Sequence, residues 1–157
     1  MSRNLYIMVG IPGSGKSYWL HNNAMSSLIV SRDDIRDSWM KENDKYFDHE
    51  KDVFKEYIAT IQDYLWVGSD VDVYADATQI NAISRFKLLS NLELDGVDVH
   101  AIFINTPVEK CIVNNLQREG LKRIPEEAIK DFAKRLNPPS FDEYDYKSIT
   151  EVKYNDI

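Results

Sequence analysis

The chain has 157 residues, 43% of them hydrophobic and 11% aromatic, the make-up of a folded globular protein and not of a disordered one. Its formal charge of −7 excludes a broad nucleic-acid-coating surface, since that mode of binding relies on lysine and arginine displacing counterions; a bound polynucleotide would be gripped locally, at an end. One cysteine, Cys111, excludes an internal disulfide and fits a reducing, cytoplasmic setting, and the strand-sized apolar runs offer nothing to cross a membrane.

No repeat, low-complexity stretch or long linker interrupts the chain, so one domain over residues 1–157 is expected. Short apolar runs alternate with helix-period segments, which points to an α/β fold with a parallel sheet. The first run, Leu5–Val9, is a strand candidate. Directly after it come Gly10, Ile11, Pro12, Gly13, Ser14, Gly15, Lys16 and Ser17, the spacing G-x-x-x-x-G-K-[ST] of a P-loop. The glycines let the backbone curl so that successive N–H groups converge on phosphate oxygens, and the helix that follows adds its positive end. Lys16 would reach the β- and γ-phosphates of a nucleoside triphosphate, and the Ser17 hydroxyl would hold Mg2+. That helix is expected from Lys16 to about Met25.

A second strand, Ser27–Val30, runs into Ser31-Arg32-Asp33-Asp34-Ile35-Arg36. Ligands of open α/β sheets bind at the carboxyl ends of strands, so this cluster is expected to face the P-loop. Asp33 is a candidate general base for an attacking hydroxyl, and a metal candidate beside Ser17. Arg36, one helical turn on, is a candidate for gripping a phosphate on the acceptor. The plainer alternative is a solvated helix start with Asp33 or Asp34 as its cap. A long helix is expected over Phe47–Trp66, with apolar residues at 47, 54, 58, 61 and 65. The third strand, Val71–Ala75, ends in Asp76-Ala77-Thr78; Asp76 could hold a Mg2+-bound water or orient Arg36.

Asn81 is placed to cap a helix from Ala82 to about Leu94. After a fourth strand, Val97–Ile104, the run Thr106-Pro107-Val108-Glu109 has the form of a capping box. The connection Gln117–Pro125 is short, basic and contains one glycine; in a phosphoryl-transfer enzyme it could close over the nucleotide and deliver an arginine. The last helix carries Ile129, Phe132, Ala133 and Leu136 on one face and stops at Pro138-Pro139. An acidic stretch, Asp142–Asp145, reads as a solvated loop before a fifth strand, Ile149–Tyr154. His21, His49 and His100 are scattered and read as structural or surface residues, and Cys111 as a buried, inert thiol.

With these residues in hand, the chain resembles the 5′-kinase domain of bacteriophage polynucleotide kinases, within the P-loop kinase superfamily. The resemblance rests on the loop Gly10–Ser17, on Arg32–Arg36, on Asp76-Ala77-Thr78 with Arg85 beyond, and on Cys111–Arg118 leading to Ile124–Glu127. It implies a nucleotide-kinase fold: a five-stranded parallel sheet, the P-loop strand in the middle, helices on both faces and a small helical lid. It implies ATP or another NTP as donor, Mg2+ as cofactor and a 5′-hydroxyl end of DNA or RNA as acceptor. Lys16, Asp33 and Arg118 take catalytic roles in it. Arg36 takes the acceptor's first phosphate, with Thr78 beside it and Asp76 bracing the arginine. Arg118 takes the donor phosphates. Asn114 stands where the family often has a lid arginine, which Arg123 could replace, and Gln79 stands where asparagine is frequent. The Asp-x-Asp-Gly-Thr motif of a 3′-phosphatase is absent, so a stand-alone kinase is implied. Two other readings remain open: a kinase for a small hydroxylated molecule or nucleoside, and a nucleotide-binding module without turnover.

Overall fold

The computed structural model describes residues 2–156. Five strands form one parallel sheet: β1 (Ser2–Val9), β2 (Leu28–Ser31), β3 (Asp70–Asp76), β4 (Val97–Asn105) and β5 (Ser148–Lys153), in the order β2-β3-β1-β4-β5. The helices are α1 (Lys16–Asn23), α2 (Arg32–Trp39), α3 (Glu50–Leu65), α4 (Ala82–Ser90), α5 (Val108–Leu116) and α6 (Glu126–Arg135). The expected fold is the one observed, with the P-loop strand central.

Alternation along the strands sorts the core into two layers. Leu5 and Ile7 of β1, with Val73, Ala75, Val99 and Ala101, face Tyr57, Ile61 and Leu65 of α3 and Leu88 and Leu89 of α4. Met8, Tyr74, Ile102 and Ile104 face Leu20 and Ala24 at α1. Helices therefore cover both faces, as parallel sheets require. On the α1 side the rings of Tyr74, Tyr6 and His100 stack at 4.5 and 4.4 Å. His100 bridges Asn4 and Ser148 across three strands, a structural role as expected.

The boundaries differ from expectation where side chains have distant partners. Helix α3 starts at Glu50, and its buried stripe is Val53, Tyr57, Ile61 and Leu65, a strict i+4 row; Phe54 and Ile58 stand to one side and Phe47 is exposed. Thr106 is not a helix cap: its hydroxyl donates to the Ser14 carbonyl at 2.6 Å, and α5 opens on Pro107 with no side-chain cap. Asn81 does cap α4, exchanging bonds with Ser84 in a capping box. In the acidic stretch Asp142 and Asp145 are exposed as expected, but Glu143 is turned inward. Glu143 accepts from Arg85 Nε and Nη2 at 2.7 and 2.8 Å and from the Tyr146 hydroxyl at 2.7 Å, and Arg85 is only 1% exposed.

Candidate active site

The carboxyl ends of β1, β2 and β3 converge on a cleft of about 290 Å3. Its lining takes Pro12 to Tyr18 from the P-loop and α1, Arg32, Asp33 and Arg36 from α2, and Asp76, Ala77 and Thr78 from the end of β3. Arg118, Ile124 and Phe132 close it from the α5–α6 side.

The loop is shaped by close packing. Gly13 has φ of +83° and lies against the Cys111 carbonyl, so a side chain there has neither a relaxed backbone nor space. Gly10 sits where a Cβ would come within 2.7 Å of Ser14 Oγ and 3.2 Å of the Ile104 carbonyl. Asn114 donates to the Gly13 carbonyl at 2.9 Å and so fastens the P-loop to α5. Gln79 is likewise structural: it accepts from the Tyr57 hydroxyl at 3.0 Å and donates to the Met8 carbonyl at the end of β1. Cys111 is fully buried, and burial pushes its thiol up to about 11, leaving it inert at neutral pH.

Lys16 donates to the carbonyls of Gly10 and Ile11 at 3.0 and 3.3 Å, folded back over its own loop. Desolvation lowers its pKa, while the carboxylates of Asp76 and Asp33 act the other way. The counterpart is Asp76, whose carboxyl is pushed up to about 6, first by burial and further by Asp33 and Asp34. Ser14 Oγ is buried with no partner. A loop of N–H groups, a desolvated ammonium and an orphaned hydroxyl together make a site complementary to phosphate.

Asp33 is held by two donors: Arg36 Nη1 and the Tyr46 hydroxyl, the latter at 2.8 Å, both on Oδ1. Arg36 is buried and turns the rest of its guanidinium to Glu50, with Nε to Oε2 at 2.8 Å and Nη2 to Oε1 at 2.7 Å. The expected brace is thereby corrected: Glu50, not Asp76, orients Arg36, and Asp76 faces Lys16. Tyr46 and Glu50 are participants that the sequence alone does not mark: Tyr46 precedes the expected long helix, and Glu50 sits on its polar side as one acid among several.

Arg118 lines the cleft and donates through Nη1 to the Lys122 carbonyl at 3.3 Å. Arg123 does not reach the cleft. Its Nε and Nη2 donate to the carbonyls of Arg118 and Leu116 at 2.8 and 2.6 Å, capping the end of α5. Thr78 lines the cleft, and its carbonyl accepts the Gly10 N–H at 3.0 Å.

Among the described residues no cluster of three or more His, Cys, Asp or Glu side chains forms a metal site, and no helix is long and apolar enough to cross a membrane. The donor set still suits a magnesium ion that shares its shell with phosphates: the exposed Ser17 hydroxyl beside the carboxylates of Asp33 and Asp76 offers hard oxygens only.

A family model described as an AAA domain matches residues 5–139. No curated protein matches the sequence. Among solved structures, an unliganded sugar kinase from Janibacter sp. HTCC2649 superposes with a TM-score of 0.64 at 14% identity, covering 99% of this chain and 87% of that one. A chain of the Pnkp1/Rnl/Hen1 RNA repair complex gives a TM-score of 0.68 at 23% identity, covering 86% of this chain and 44% of that one. Kti12 from Chaetomium thermophilum, in complex with ADP-AlF3, gives 0.63 at 16% identity, covering 98% and 90%. At these identities the likeness is one of fold, and the fold is that of P-loop kinases.

Proposed function

Because this chain belongs to the AAA domain family and has a P-loop kinase fold, we propose that it transfers the γ-phosphate of ATP, or another NTP, to the 5′-hydroxyl end of a DNA or RNA strand. The observation that carries the reading is Asp33: a carboxylate with one oxygen pinned by Arg36 and Tyr46, in the same cleft as the P-loop lysine. A module that only binds nucleotide has no need of such a base. The likeness to a chain of an RNA repair complex supports a polynucleotide acceptor.

The P-loop N–H groups and Ser14 bind the donor phosphates, and Lys16 exchanges its two loop carbonyls for phosphate oxygens. Asp33 Oδ2, which accepts neither the Arg36 nor the Tyr46 bond, takes the proton of the attacking hydroxyl. Arg118 faces the charge that develops on the transferring group. Ser17, with Asp33 or Asp76, would hold Mg2+, which neutralises charge on the donor phosphates when bound. Arg36 orients Asp33 and keeps one Nη2–H for the acceptor's first phosphate.

One observation favours a second reading, a small hydroxylated acceptor. Most of the Arg36 guanidinium already serves Glu50 and Asp33, and the same fold occurs in a sugar kinase. Transfer of labelled γ-phosphate to a panel of 5′-hydroxyl DNA and RNA oligonucleotides, nucleosides and sugars decides between the two. Oligonucleotides are expected to be labelled well and sugars not at all; the reverse order establishes the small-molecule kinase.

A further inference from the structure

A second cavity, of about 190 Å3, opens beside the cleft and shares Arg32, Thr78 and Phe132 with it. It lies between the end of β3, α3, α4 and the last turn of α6. In a chain with a formal charge of −7, its described lining holds two guanidinium groups, Arg32 and Arg135, and no carboxylate. Each arginine rests over a phenyl ring, Arg32 over Phe54 and Arg135 over Phe132, both at 5.2 Å. Arg32 Nε is buried and has no hydrogen-bond partner. Its Nη2 reaches Glu50 at a long 3.4 Å, on the side of the main cleft. An unsatisfied buried donor beside a second cation, offset only by the long Arg32–Glu50 contact on the far side, is a site that suits an anion. The remaining walls are mixed: Phe54, Ile80, Leu88 and Phe132 are apolar, and hydroxyl and amide residues such as Tyr57, Asn81 and Ser84 lie between them. At about 190 Å3 against about 290 Å3 for the main cleft, with which it shares three lining residues, it suits one group of a longer molecule that continues from the main cleft.

We propose that this side chamber is the subsite for the second phosphodiester of the acceptor strand, held by Arg32 and Arg135, with the attached nucleotide against Phe54 and Phe132. The proposal rests on the polynucleotide reading and gives it a length requirement. The cleft alone serves an acceptor with one phosphate, and the side chamber adds affinity only when a second phosphate is present.

The experiment measures acceptor KM and kcat at saturating ATP for 5′-hydroxyl oligonucleotides carrying one, two and three phosphates. The proteins are the parent, Arg135→Ala and Arg135→Glu. Arg135 is exposed on the last turn of α6 and lines only the side chamber, so its removal leaves the fold and the main cleft in place. In the parent, KM is expected to fall about tenfold from one phosphate to two, the size of a charge-assisted contact. Arg135→Ala should lose most of that gain and Arg135→Glu all of it, with the one-phosphate acceptor used equally by all three. The slope of log KM against log salt for the two-phosphate acceptor should shrink by about 0.7 in Arg135→Ala, the mark of one lost phosphate contact on a single strand. A length gain that survives both variants, or a slope that does not change, overturns the subsite while leaving the kinase reading standing. Absence of transfer to any 5′-hydroxyl end by the parent overturns the acceptor reading, and the subsite with it.

Discussion

The hydroxyl of Tyr46 donates to Asp33 Oδ1 at 2.8 Å, and the same hydroxyl accepts from Arg36 Nη1 at 2.9 Å. One carboxylate oxygen is thereby fixed from two sides and the other is left for chemistry. Burial and the neighbouring Asp33 raise the Tyr46 phenol well above its ordinary range, so it stays a donor throughout the working pH range. Tyr46→Phe removes one of the two donors that fix Asp33 and leaves the carboxylate less well aimed. The expected result is a loss of about tenfold in kcat with nucleotide affinity unchanged. An unchanged kcat would show that Tyr46 only fills space.

Asp76 should be a residue that the fold would gain stability by losing. Its carboxyl is held near 6 in the folded protein, above the unfolded value of 3.8, so the folded state binds the proton more tightly between those two pH values. Stability therefore falls as pH rises through that window, and the full cost is present at pH 7. Asp76→Asn should raise the unfolding free energy by about 1–3 kcal/mol at neutral pH and by almost nothing near pH 4, while transfer drops. Thermal unfolding of both proteins at the two pH values, with activity at pH 7.5, tests both halves.

Arg118→Ala should act on the rate and not on acceptor binding. A cation that meets developing charge is worth about 10²-fold or more in the transition state, and Arg123, engaged with the end of α5, has no free geometry to replace it. Single-turnover kinetics should show the drop with the acceptor KM unchanged. If Arg123→Ala is the damaging variant instead, the two arginines exchange roles when nucleotide binds.

Gly13→Ala and Gly96→Ala form a matched pair. Both glycines have positive φ, +83° and +76°, but a Cβ at Gly96 meets nothing within 4 Å, whereas at Gly13 it runs into the Cys111 backbone. Gly96→Ala should cost about 1 kcal/mol of backbone strain. Gly13→Ala should cost about 1–3 kcal/mol more and weaken nucleotide binding, as measured by chemical denaturation and ATP titration.

What could be read from the sequence is what local chemistry determines. The P-loop is eight consecutive residues, and its glycines, lysine and serine carry their reasons with them. Asp33 and Asp76 follow from strand ends, and the central position of β1 follows from the kinase resemblance. The errors all concern partners that packing selects and no local pattern marks. Thr106 has the form of a cap, but its hydroxyl bonds Ser14, 92 positions away. Arg36 suggests a brace near the next strand, but Glu50 approaches it from α3. The apolar row at 54, 58, 61 and 65 is helical in period, yet the sheet selects the neighbouring row through Val53 and Tyr57. Each alternative satisfies local rules equally well, and only the packed sheet decides between them.

The Arg85–Glu143 pair has a bearing on how this protein can be cut. The stretch that matches the family ends at residue 139, four positions before Glu143. A fragment trimmed to that boundary keeps the buried guanidinium and discards its counter-charge, together with the Tyr146 hydroxyl that completes the pair and the edge strand β5. Stranding such a charge costs about 3–5 kcal/mol, a large share of what holds a chain this size folded. The damage would also be transmitted inward, because Arg85 Nη1 donates to the Gln79 carbonyl at 2.8 Å and the Gln79 amide donates to Met8 just before the phosphate-binding loop. The smallest fragment able to bind nucleotide is therefore longer than the family boundary indicates, and it must extend through Tyr146.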